Sequence, residues 1–593
     1  MRISLPIDSS LPEILDQIRS SPNFILQAEP GAGKTTRLPP KLLALTGKKI
    51  LVLEPRRLAA VAAAHRIADE ESWRVGVEVG YQVRFSDQTS AVTRLVFVTE
   101  ALLARKMLSD PTLSEYGIIV LDEFHERSLH TDLAIGLLKD LQVLERADLR
   151  IVVMSATLDP QPIVDFLGDC QVRKVPGKSH PLEVRRIQES QLLRLDDSLL
   201  QRIHRELDWL RKEKAPAVTL VFLPGLSEIR RTLNFLRNKE TWKTYQIEIL
   251  HGNLSLQDQQ RVVQRSEKPK IILSTNVAES ALTIEGVTAV VDCGLARRAL
   301  FDPATDLTEL QTIRIAKANA QQRAGRAARQ SAGIVVQLWN ATDELSMVDF
   351  EPPAILREDL TESFLLLAGL GYRMSENTNS LSWLTPPPAA PALESIARLQ
   401  RLKALAPTGS LTDLGKLLLR WPLTPELGCL LASGIQAGLA DVAVDLVAVI
   451  AESRGAKEVD LMTRLHNFQT HRNESDWQRT LMVSRQLRQS VSVPTKQNSS
   501  AADLEVLVLK AFANRLCRRR RANQPEAQMA TGVGVKLADP HIWPTNEYFI
   551  ALEFADAGLV TLGLPVALSD LEHELQDQVQ TQFEFRVDAE GLR

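Results

Sequence analysis

Four short clusters in this sequence have residue types and spacings suited to moving a phosphoryl group. Ala28-Glu29-Pro30-Gly31-Ala32-Gly33-Lys34-Thr35-Thr36 matches a phosphate-binding loop, with Ala28 where the first glycine usually stands. The backbone N–H groups of Gly31, Ala32 and Gly33 would wrap phosphates at a helix N-terminus. Lys34 would reach the β/γ-phosphates of ATP, and Thr35 would ligand Mg²⁺. The plain alternative, a Gly-rich turn, requires neither the Lys-Thr pair nor the apolar strand before it.

Asp122-Glu123-Phe124-His125 follows an apolar run, Ile118 to Leu121. Carboxylates at the C-terminal end of a strand sit where open α/β sheets gather their ligands. Asp122 would hold Mg²⁺, with Glu123 beside it, and Glu123 would deprotonate the attacking water. A solvated charged turn is the commoner reading when such a pair stands alone. Ser155-Ala156-Thr157 also follows a strand, and its hydroxyls would bond across to the Asp122–His125 loop, coupling hydrolysis to domain movement.

Gln322-Arg323-Ala324-Gly325-Arg326-Ala327-Ala328-Arg329 is the most specific segment. At helical spacing Gln322, Arg326 and Arg329 share one face. A transferring phosphoryl group requires permanently charged planar guanidinium groups, and a Gln positions water. A solvated basic face would not require Gly325, and the whole pattern arises by chance in fewer than about one chain in a thousand.

These clusters need rigid supports. Up to about residue 340, short β-branched apolar runs alternate with helical patterns, the signature of parallel α/β sheets. The expected strands are 24–27, 50–53, 95–98, 118–121 and 151–154, then 218–223, 247–250, 271–273, 289–291 and 334–338. Residues 175–184, carrying Pro176, Gly177 and Pro181, read as a linker. Two tandem sheet domains are expected, at 1–178 and 183–345. Helical periodicity then dominates: 350–410 reads as winged-helix-like and 411–500 as a helical, ratchet-like domain. The remainder, 501–593, reads as a basic helix followed by an OB-like β region with strands near 532–538, 548–554 and 559–566. Phe583 to Val587 looks like one arm of a hairpin whose return strand is missing, so a shortened form of a longer protein is expected.

Composition sets the outer limits. At 593 residues the chain should form roughly four or five domains. It is 44% hydrophobic and 24% charged, with no apolar run long enough to span a bilayer and no secretory signal layout. Cys170, Cys293, Cys429 and Cys517 lie far apart, suggesting neither a zinc site nor a disulfide frame and fitting a reducing cytoplasm; a monomer is expected. A net charge of −3 leaves room for a nucleic-acid partner, because local basic patches grip phosphates.

With all four motifs in order, the chain resembles superfamily 2 helicases of the DEAH/RHA group. Glu54-Pro55-Arg56-Arg57-Leu58-Ala59-Ala60, Gly80 to Arg84, Thr99-Glu100, Phe222 to Gly225 and Asn276 to Ile284 agree with it. Phe124, where most members have Ala, is similar to the bacterial HrpB helicases. The resemblance implies two RecA-like domains closing over ATP, then winged-helix, ratchet-like and OB-like domains around a strand of RNA, with DNA also open. It further implies nucleic-acid contacts at Arg56, Arg57, Arg84, Thr99, Glu100, Gly225, Thr275 and Thr283, and adenine stacking on Arg66. Arg297 and Arg298 would begin a strand-separating hairpin. Ala328 replaces a family glycine, putting the reach of Arg329 in question, and Ser280-Ala281 replaces Thr-Ser. Leu295 stands near the second half of the base stack, so weak discrimination among nucleoside triphosphates is expected. The competing reading is a catalytically weak RNA-binding scaffold that keeps the fold.

Overall fold

A computed structural model of the chain describes residues 4–593 except 30, 85, 178–179, 191–196, 253, 255, 280–283, 303–306, 375–380, 454–457, 492–500, 522–523, 540, 556–557, 575–586, 589–590 and 593. Pro30, Ser280, Ala281, Thr283 and the expected strand start at Phe583 lie outside the described residues. Two compact units are formed: Met1–Leu300 with Leu310–Glu358 and Asn377–Ala389, and Phe301–Glu309 with Asp359–Glu376 and Ala390–Arg593.

The first unit holds two RecA-like lobes. In lobe 1 the strands are β1 (Asn23–Ala28), β2 (Lys49–Glu54), β3 (Val79–Val83), β4 (Ser86–Gln88), β5 (Leu95–Thr99), β6 (Tyr116–Leu121), β7 (Arg150–Ser155) and β8 (Cys170–Val175). They form one sheet in the order β4-β3-β5-β2-β6-β7-β1-β8, all parallel except β4. The central strands are buried on both faces and therefore read as unbroken apolar runs. Lobe 2 carries β9 (Leu182–Arg186), β10 (Val218–Phe222), β11 (Gln246–Leu250), β12 (Lys270–Ser274), β13 (Val287–Asp292) and β16 (Gly333–Gln337), with the hairpin β14 (Leu295–Asp302) and β15 (Leu307–Arg314) before β16. Its parallel sheet runs β11-β12-β10-β13-β16-β9. The expected linker is therefore shorter than 175–184: Val175 ends β8 of the first sheet and Val184 lies within β9 of the second.

The second unit is helical and then β. Helices Thr361–Gly369, Ala389–Arg401, Asp413–Leu418, Pro425–Gln436 and Ala440–Ala451 lead into a closed barrel of β17 (Leu516–Arg519), β18 (Glu526–Met529), β19 (Gly534–Leu537), β20 (Tyr548–Ala555) and β21 (Leu559–Val566). The expected basic helix is not formed. Helix Ala501–Ala511 has only Lys510 as a basic residue, and the arginine run begins on β17, where Arg519 turns inward onto the carbonyls of Gln524 and Ile542. Alternation along a strand, with Arg518 exposed and Arg519 buried, breaks the run into two faces. The return strand thought missing is present in minimal form, Gly591–Leu592 against Val587–Asp588. Among the described residues no helix is long and apolar enough to cross a membrane.

Candidate nucleoside-triphosphatase site

The phosphate loop leaves β1 and enters helix Lys34–Leu42. Gly33 caps that helix in the left-handed conformation, φ 94°, and a Cβ there would lie 2.7 Å from the Leu5 side chain. The Ile7 N–H holds the Ala32 carbonyl at 3.1 Å. Lys34 is buried and bonds Glu123 Oε1 at 2.9 Å, and Thr35 Oγ1 donates to Asp122 Oδ2 at 2.5 Å. The loop thus sits directly on the two carboxylates that β6 delivers. Glu29 is exposed, Ala28 and Ala32 are buried, and Thr36 is half-buried.

Glu123 adopts a left-handed backbone, φ 48° and ψ 37°, a conformation that costs about 1–3 kcal/mol in a non-glycine residue. Its N–H is held by Asp122 Oδ1 at 2.8 Å, and its carbonyl receives the Glu126 N–H at 2.9 Å. Burial alone would raise the Glu123 carboxyl, but Lys34, His125 and Arg329 outweigh it and hold the group at about 2. Burial also pushes Asp122 up, against the pull of Lys34. Lys34 is penalised by burial yet raised overall by Glu123 and Asp122.

Sequence reasoning missed a third acid here. Glu54, at the end of β2, is buried, and burial together with Asp122 and Glu123 drives its carboxyl well above the usual range. Its signal was available, since a carboxylate closing an apolar strand beside β6 must face the same edge.

Mg²⁺ fits this donor set. Thr35 Oγ1 and Asp122 Oδ2 are hard oxygens already in contact, and Mg²⁺ completes its shell with water and phosphate rather than with a protein cage.

Lobe 2 supplies the opposite wall. Gln322 Nε2 donates to Thr157 Oγ1 at 3.1 Å, and Ser155 Oγ lies 3.3 Å from His125 Nδ1. The proposed coupling residues therefore meet, with Thr157 reaching across to lobe 2 and Ser155 to His125 within lobe 1. Arg326 is buried and donates to the Glu279 carbonyl at 3.0 Å. Burial and the like charges of Arg329 and Arg56 push it well down. A guanidinium stays charged in proteins, so this reads as repulsion that an arriving polyanion relieves. The charge of Arg329 adds a smaller share to the lowering of the Glu123 carboxyl.

One expectation changes. The helix ends at Gly325, so Arg326 is its C-cap and Arg329 lies beyond it in a turn, not on a shared helical face. Arg323 is the structural member of the motif: 1% exposed, paired with Glu279 at 2.9 Å and Asp292 at 3.0 Å, and stacked over Phe222. Glu279 was also missed as an organiser, for it takes Asn319, Arg323 and, through its carbonyl, Arg326. The turn after Arg326 passes so close to β16 that a Cβ on Gly333 would lie 2.2 Å from the Ala327 oxygen.

The expected nucleic-acid residues divide. Arg84 is exposed, as is Arg57, which donates to the Arg84 carbonyl; Thr99 is half-buried. Glu100 is buried and accepts from Ser128 and Thr131, fixing the helix after the Asp122–Glu126 loop. Thr275 and Gly225 are buried, each capping a helix. Arg66 is exposed and pairs with Glu70 at 2.9 Å. Leu295 is wholly buried in the lobe 2 core.

Residues 9–166 match the DEAD/DEAH box helicase family, and residues 198–331 match the helicase conserved C-terminal domain. The chain is 36% identical over 552 residues to the ATP-dependent RNA helicase HrpB of Escherichia coli (strain K12), covering 92% of this chain and 66% of that protein. The crystal structure of E. coli DExH-box NTPase HrpB matches with a TM-score of 0.85 at 34% identity, over 100% of this chain and 72% of that one. The chain belongs to the HrpB family of DEAH-box helicases. It is also 33% identical over 463 residues to the pre-mRNA-splicing factor ATP-dependent RNA helicase prp22 of Schizosaccharomyces pombe, spanning 76% of this chain and 39% of that protein. The chain thus spans about two thirds of one curated relative and well under half of the other.

Proposed function

We propose that this chain is an RNA-stimulated ATPase that converts ATP hydrolysis into movement along, and remodelling of, RNA. The observation that carries the reading is the convergence of Lys34, Asp122 and Glu123 from lobe 1 with Gln322, Arg326 and Arg329 from lobe 2 within one compact unit. Lys34 and the amides of residues 31–33 bind the phosphates, while Thr35 and Asp122 hold Mg²⁺, which when bound neutralises phosphate charge. Glu123 accepts a proton from water that Gln322 orients, and Arg326 and Arg329 stabilise charge on the transferring group. Thr157 and His125 report the state of the site across the lobes, and Arg66 faces the base.

The nucleic acid runs over exposed Arg57 and Arg84, with the hairpin β14–β15 dividing strands. Domain limits at 178/183, 345/350, 410 and 500 belong to the same proposal, as do a monomeric state and a cytoplasmic location. The alternative, a catalytically weak RNA-binding scaffold, rests on Ala328 in place of the family glycine.

Phosphate release measured with and without single-stranded RNA and DNA, across a salt series, tests the reading. Stimulation by RNA that fades with salt is expected. Nucleic-acid binding without turnover would favour the scaffold.

A further inference from the structure

Arg56 belongs to the segment that the family resemblance assigns to the nucleic acid, yet its guanidinium is already fully engaged elsewhere. Nη1 donates to the carbonyls of Asn276, at 2.9 Å, and Val277, at 3.2 Å, in lobe 2. Nη2 lies 3.2 Å from Glu126 Oε1 in lobe 1, and the two side chains are only 23% and 21% exposed. Each partner sits on a turn that carries catalytic machinery. Glu126 closes the short helix Phe124–Glu126 that follows Glu123. Asn276 and Val277 lie in the short helix capped by Glu279, whose carbonyl holds Arg326.

We propose that Arg56 is a positioning residue that latches the Glu123–Glu126 turn of lobe 1 to the Asn276–Glu279 turn of lobe 2, setting the distance between the proton acceptor and Arg326. The inference rests on the ATPase reading above. The geometry requires arginine, because a planar fork reaches two carbonyls on one side and a carboxylate on the other, and a lysine ammonium cannot span both. The latch borders a cavity of about 210 Å³ lined also by Glu279 and Gln322. The like charge of Arg56 also contributes, after burial and Arg329, to the lowering of Arg326.

Lysine substitution separates a latch from a phosphate contact, since it keeps the charge and removes the fork. For Arg56→Lys in the full chain, the latch predicts a fall in kcat of about tenfold or more at saturating ATP and RNA, with KM for ATP within about twofold. Affinity for a fluorescein-labelled single-stranded oligouridine, and the slope of that affinity against salt, should be unchanged. Glu126→Gln should reproduce the kcat loss, and the double variant should be no worse than either single one. Near-normal kcat for Arg56→Lys would overturn the latch. So would an Arg56→Gln variant whose only defect is weaker RNA affinity with a salt slope reduced by about one, or multiplicative losses in the double variant. Failure of the underlying reading looks different: the unaltered chain would show no RNA-stimulated phosphate release.

Discussion

Lys34 Nζ lies 2.9 Å from Glu123 Oε1, so the lysine of the phosphate loop is bound to the carboxylate proposed as general base. A triphosphate that takes Lys34 must compete with Glu123 for the same ammonium. Once it succeeds, Glu123 loses the strongest of the charges that hold it at about 2 and rises toward the range of a working base.

Glu123→Gln removes the proton acceptor and loosens the hold on Lys34. ATP affinity, read by fluorescent-nucleotide displacement, should be equal or tighter, while kcat for phosphate release falls by about a hundredfold or more. Retained turnover would reassign the base.

Arg326 and Arg329 should act on kcat rather than on binding. Replacing either with Ala is expected to lower kcat by about 10³-fold, with a small change in KM. Steady-state kinetics that instead show only a raised KM would remove these residues from the transition state.

Arg323 supports the site without touching substrate. It is buried between Glu279 and Asp292, and removing one partner of such a cluster strands the others' charge. Arg323→Ala should cost about 3–5 kcal/mol in urea unfolding monitored by circular dichroism. A loss well under about 1 kcal/mol, typical of exposed pairs, would show the cluster to be solvated.

Glu100 gives the fold a pH signature. Burial raises its carboxyl to about 7, despite the opposing bonds from Ser128 and Thr131, whereas the unfolded chain titrates near 4.5. Below the unfolded value both states are protonated; as pH rises towards 7 the folded state alone keeps its proton. Stability should therefore fall by roughly 3 kcal/mol across that window and level off above it. Glu100→Gln should flatten this part of the profile in melting experiments, and an unaltered slope would assign it elsewhere.

Base selection should be weak. Arg66 is exposed and already paired with Glu70, and Leu295, near the second stacking position in sequence, is not aromatic and is buried in the lobe 2 core. The kcat/KM values for ATP, GTP and CTP should agree within about tenfold. A wider preference for ATP would point to a base contact outside this pair.

How much of this was readable from the chain follows from burial. The strands that deliver chemistry, β1, β6 and β7, are covered on both faces and announce themselves as apolar runs. Edge strands do not: β8 and β9 carry Gln171, Arg173, Glu183 and Arg185, and such polar runs read as linker or loop. The phosphate loop and the Asp122–Glu123 pair were legible because contiguous residues define them. Glu279 was not, because its role depends on which turns become neighbours, and Glu54 left only the mark of a carboxylate ending an apolar strand. The common helical face assigned to Gln322, Arg326 and Arg329 fails at Gly325, where the helix stops and a turn does the aiming.

The crowding between Gly333 and the Ala327 oxygen bears on how this motif can drift over generations. Position 328 has already accepted a methyl group, but any side chain at 333 must displace main chain that leads into Arg329. In a randomised library selected for ATP turnover, 333 should stay fixed while 328 varies, and the invariance would record spacing, not reactivity.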